Sequence, residues 1–180
     1  MPIPVTTELE VVLTSQLMTM LFGTPRTLKG ALVATGIEYP VTIQIPTLTD
    51  SNQGLRFQPW FGLAPETLNM VAHMAVVTLR DTPPSSADLA IAVIHAKQSD
   101  ARAHPINRCV EGHFGNGGGV WFGNIILLEY DLRAERIKPL RHENATLAAD
   151  CLEQFIQDYW KAEREGTNLT AAVGGRLGPL

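Results

Sequence analysis

The chain has 180 residues, 45% of them apolar and 18% charged, with a formal net charge of −4. That length suits one ordinary domain with a substantial core, and the composition excludes disordered and fibrous classes. So small a net charge excludes a global basic field for nucleic acid, and no apolar run approaches the roughly 20 residues that span a bilayer.

Only Cys109 and Cys151 are present, too few for a disulfide scaffold, so a reduced, cytoplasmic location is expected. The first eight residues carry no basic segment before their apolar ones and do not read as a secretion signal. The sequons at Asn144 and Asn168 are then chance matches.

In chain order, Leu9, Val12, Leu13, Leu17, Met20 and Leu21 recur at helical spacing, with Thr6 or Thr7 as cap and Gly23 as stop. Residues 27–35 and 41–45 read as two strands joined compactly by 36–40, an antiparallel hairpin in which Pro40 and Pro46 bracket the second strand. Residues 47–65 lack periodicity, and their aromatic residues Phe57, Trp60 and Phe61 suit either a ligand wall or a plug over the sheet. Residues 65–71 suit a helical turn with Pro65 at its first position. Residues 73–79 and 89–96 read as a second antiparallel hairpin. Ala90, Ala92 and Ala96 on one face of its second strand would admit a close helix.

Pro105 is expected to open a short helix in which Ile106, Cys109, Val110 and His113 share a face. The glycine run 115–119 ends it. Residues 120–130 then form the central strand, with Trp121, Ile125 and Leu127 on one side and Val120, Phe122, Ile126, Leu128 and Tyr130 on the other. Both sides are apolar, as in a strand covered on both faces. Within it, Gly123-Asn124 is read as a bulge or a tight turn, and a buried Asn124 must find hydrogen-bond partners. A mixed-charge segment, 132–142, reads as a solvated connector. The last helix starts at Asn144 or Thr146 and ends at Gly166. Leu147, Cys151, Leu152, Phe155, Ile156, Tyr159 and Trp160 form its apolar face. Burying that face is worth on the order of 10–15 kcal/mol before opposing terms. Residues 166–180 read as a flexible tail.

Chemistry-bearing motifs are sparse. The glycine run follows a helix and precedes a strand, the reverse of a dinucleotide fingerprint, and Phe122 stands where its last glycine belongs. Cys109 is the best nucleophile candidate, with His73, His95 or His113 to take its proton. Segment 107–114 resembles the helix-borne cysteine of papain-like hydrolases and acyltransferases. Against that, Cys109 shares a stripe with Ile106 and Val110, where a free cysteine behaves as a small hydrophobe. His104, Cys109 and His113 lack a paired CxxC or HxxxH, so neither metal nor cofactor is assigned.

The block Asn107-Arg-Cys-Val110 followed by Trp121-Phe-Gly-Asn124 resembles small uncharacterised proteins of mushroom-forming fungi, as do segments 24–30 and 59–61. That resemblance implies a fungal intracellular protein and brings no activity or catalytic residue. The longer glycine run departs from the pattern.

The reading that results is an α+β domain over residues 1–165. A mostly antiparallel sheet of about five strands would pack against amino- and carboxy-terminal helices. The expected function is a non-catalytic binding or self-associating domain with an unknown protein partner. A cysteine-dependent enzyme built on Cys109 is the alternative. A small-molecule binder lined by Phe57, Trp60, Phe61, Trp121 and Asn124 is a third reading. Neither nucleic acid nor membrane is an expected partner.

Overall fold

Runs rich in β-branched and small apolar residues dominate the middle of the chain, and they form strands. A computed structural model describes residues 26–49, 55–56, 72–79, 89–96, 98, 102, 104–114, 119–167 and 178–179. The expected amino-terminal helix, the 65–71 turn and the aromatic residues Phe57, Trp60 and Phe61 lie outside these residues.

The fold is α+β, an antiparallel sheet packed against the carboxy-terminal helix. Five strands carry the sheet: β1 (Arg26–Val33), β2 (Val41–Thr49), β4 (Ala72–Val77), β5 (Leu89–Ala96) and β6 (Ile125–Asp131). Three short strands add to it: β3 (Leu55–Arg56), β7 (Arg136–Lys138) and β8 (Gly178–Pro179). Their order is β3-β2-β1-β6-β5-β4-β8, with β7 also paired to β6. Both expected hairpins form, β1 with β2 and β4 with β5. The second strand does not stop at Pro46 but runs through it to Thr49. A strand near the sheet edge tolerates the missing amide proton. Within the segment expected to be a tail, Gly178–Pro179 pairs with His73 and Met74.

β6 is the central strand, shorter than expected. β5 pairs with it along its whole length. The opposite edge is shared, β1 taking Ile125–Leu127 and β7 taking Glu129–Asp131. The expected strand from Val120 breaks at Gly123, whose φ of 78° leaves the extended region that a continuous ladder needs. Before that break, Phe122 pairs with Ile106 instead. Side-chain alternation nevertheless keeps its phase. Trp121, Ile125 and Leu127 lie in the cluster under the helix, while Ile126, Leu128 and Tyr130 belong to the cluster on the other face.

The helix α1 (Ala145–Glu165) buries Ala148, Cys151, Leu152, Phe155, Ile156, Tyr159 and Ala162, and lies over β4, β5 and β6. Gly166 ends it in the left-handed conformation, its N–H donating to the Ala162 carbonyl. α1 covers the face of Ile91 and Val93, not the face of Ala90, Ala92 and Ala96 where a helix was expected. Asn144 occupies the cap position, but its side-chain amide donates to Glu129 Oε1 at 2.6 Å. Glu129, 2% exposed, also accepts the Arg141 N–H at 2.8 Å, so one buried carboxylate ties β6 to the start of α1.

Candidate functional site

Three side-chain amides pin the chain where it enters β6. Asn107, fully buried, donates from Nδ2 to the Val33 and Gly123 carbonyls at 3.0 and 2.8 Å, and its Oδ1 accepts the Val110 N–H at 3.1 Å. Gln98 pairs with Phe122 as a strand residue would, accepting its N–H at 2.9 Å and donating to its carbonyl at 3.1 Å. Asn124 Oδ1 accepts the Thr35 N–H at 3.0 Å, which meets the requirement that a buried amide be partnered.

Between these anchors the expected helix after Pro105 is displaced. Ile106 is an exposed strand-bridge residue, and the turn Val110–Phe114 is π-helical. The wider turn of a π-helix sends Val110 and Phe114 inward and leaves His113 exposed, with Cys109 buried just before it. His113 packs instead on exposed Tyr39, ring centroids 4.6 Å apart. Cys109 is wholly buried in the cluster under α1, and desolvation pushes its thiol up to about 11. Among the described residues no hydrogen bond joins it to a histidine. The elements of a thiolate–imidazole pair are therefore not brought together. Cys151, equally buried, donates to the Val77 carbonyl at 3.7 Å and is pushed up to about 12, chiefly by burial.

What the fold does assemble is a cluster of aromatic rings between β5 and α1. His73 and His95 face each other across β4 and β5, their rings stacked with centroids 6.1 Å apart. On the α1 side, His95 meets Trp121 at 5.4 Å, Phe155 at 5.2 Å and Tyr159 at 6.0 Å. Trp160 joins by its contacts to Trp121 at 6.3 Å and Tyr159 at 5.2 Å. The His95 Nδ1 lies 2.8 Å from the Ala96 carbonyl, which can only accept, so Nδ1 carries the proton and Nε2 is a bare lone pair. Burial lowers the His95 pKa to about 4, opposed by that backbone bond and reinforced by the charge of His73. The ring is neutral at physiological pH. Among the described residues, His95 Nε2, Trp121 Nε1 and Trp160 Nε1 are buried and have no hydrogen-bond partner.

Of the residues singled out in the sequence, the structure thus unites His73, His95 and Trp121; Cys109 shares the apolar cluster of Trp121 as a packing residue, and His113 lies exposed beside Tyr39. Asn124 is a structural anchor. Phe155, Tyr159 and Trp160 read in the sequence only as core, and their place beside a polar strand residue depends on nonlocal packing. Among the described residues no group of three or more histidine, cysteine or acidic side chains is arranged to hold a metal. No helix among them is long and apolar enough to cross a membrane.

No family model matches the chain, and no curated protein or solved structure matches it either. The likeness to proteins of mushroom-forming fungi rests on its short motifs alone.

Proposed function

We propose that this protein is a non-catalytic binding or self-associating domain whose contact surface lies at the end of the sheet where β1 stops and β6 begins. One observation carries the proposal. Among the described residues the exposed large apolar side chains are Tyr39, Ile106 and Val120. All three sit on the segments that meet at that end, joined by the bonds of Asn107 to Val33 and of Thr35 to Asn124. Apolar side chains left in water at one end of a domain suit a partner that covers them. The enzyme alternative needs an accessible thiolate, which a sealed, high-pKa Cys109 does not supply. A cytoplasmic location fits two cysteines that are both free and buried.

Sedimentation velocity over a wide concentration range tests the self-association arm. We expect a reversible dimer that Tyr39→Ser with Ile106→Ser weakens without lowering thermal stability. A strict monomer with no response to these substitutions would count against this surface. Native labelling with a thiol-reactive reagent tests the alternative. Cys109 should stay unmodified until the protein is denatured, and fast stoichiometric labelling of the folded chain would revive the enzyme reading.

A further inference from the structure

The outer strand of a sheet offers a row of N–H and C=O groups to any passing strand, and proteins ordinarily guard it with a charge, a bulge or a cover. β2 carries no charge at all: its nine residues read Val-Thr-Ile-Gln-Ile-Pro-Thr-Leu-Thr. On its outer side β3 pairs with Leu48 and Thr49, and among the described residues no strand flanks residues 41–47 there. The side chains show the same opening. Ile45 is fully buried, Val41 and Ile43 are half-buried against the apolar cluster opposite α1, and Thr42 and Gln44 are exposed.

This stretch is also its own complement. Pro40 and Pro46, which have no N–H to donate, bracket residues 41–45, with Ile43 at the centre. Two copies running antiparallel about that centre set Ile43 against Ile43, Val41 against Ile45 and Thr42 against Gln44. Apolar then meets apolar on the face of the cluster, and polar meets polar on the exposed face. A slip of one residue would set apolar against polar, and a slip of two would bring a proline into the ladder.

We propose that β2 pairs with β2 of a second copy of this chain, so that residues 41–45 join two sheets into one across a two-fold axis. The inference rests on the self-association arm of the proposed function and names its mode. Leu32 pairs with Val41, so β2 starts at the end of the sheet where Tyr39, Ile106 and Val120 are exposed. The pairing uses the same edge of both copies and therefore closes at the dimer. Sedimentation velocity on two charge variants at the exposed positions tests it. Thr42→Lys with Gln44→Lys sets like charges opposite each other across the axis and should weaken the dimer at least about tenfold. Thr42→Lys with Gln44→Glu sets lysine opposite glutamate and should restore it. In the unaltered chain, hydrogen exchange within residues 41–45 should slow as protein concentration rises, a readout that needs no variant to fold. Equal loss of the dimer in the two variants, no loss in either, or exchange in 41–45 that ignores concentration would each overturn the β2 pairing. The sheet-end surface would still stand if Tyr39→Ser with Ile106→Ser weakened the dimer. A strict monomer would overturn both.

Discussion

Burial of His95 removes the water that would stabilise its imidazolium, and the folded chain therefore resists a proton that the unfolded chain accepts. The folded pKa is about 4 against an ordinary 6.5. Because it is depressed, the full stability is present above about pH 6.5 and is lost progressively as pH falls toward 4. The loss is at most roughly 3 kcal/mol from this group. Urea denaturation at a series of pH values should show that decline, and the difference between the wild type and His95→Phe isolates it from carboxylate titration. Identical pH slopes in the two proteins would refute it. Single residues were unevenly legible in the sequence. Asn124 announced its need for a partner because an amide inside an apolar run has to bond. Cys109 announced a packing role through its apolar neighbours. His95 was singled out only as a possible proton acceptor for Cys109, and nothing local marked its burial, since an imidazole at an alternating strand position reads the same at an edge as in a sealed interior.

Elements were legible where a period persists and illegible where a side chain replaces backbone pairing. β5 falls on the residues expected, Leu89–Ala96, and α1 on an unbroken helical stripe. β7 was missed because Arg136-Ile-Lys138 has no apolar alternation. It is held by pairing with β6 and by the Lys138–Asp131 ion pair. The π-turn was missed because Asn107, not a regular backbone ladder, sets where it begins. Asn107→Ala should therefore destabilise the protein by roughly 2–4 kcal/mol, since it strands the Val110 N–H and deprives two carbonyls of a donor. A lowered urea midpoint together with faster hydrogen exchange at Val110 would bear this out. A change below about 0.5 kcal/mol would show that water replaces the amide. Gly30→Ala tests the neighbouring contact. Its Cβ would fall 2.5 Å from Ile45 Cδ1 and 2.9 Å from the Leu127 carbonyl oxygen. Rigid backbone stands on one side, so β1 has to move away from β6 or bend, at a cost of roughly 1–3 kcal/mol. Calorimetry should show a lower thermal midpoint.

At the scale of the whole molecule, the continuous apolar run of β6 revealed the centre of the sheet, because only a strand covered on both faces tolerates it. The order of the other strands was not written there. β1 reaches β6 across some ninety residues of chain, and sequence separation of that kind leaves no local trace. The same reasoning ranks the elements by how they open. β6 has β5 on one edge and β1 and β7 on the other, and Ile125, Ile126 and Leu128 are fully buried. Releasing its amides therefore requires both hairpins and α1 to separate, an opening close to global unfolding. β7 has three residues, exposed or half-buried, and can detach while the rest stays folded. Native-state hydrogen exchange should accordingly find the slowest amides at Ile126–Leu128, with a free energy matching that from denaturant melts, and much faster exchange in β7. Comparable rates in the two strands would mean that β6 is not the common support of both apolar clusters.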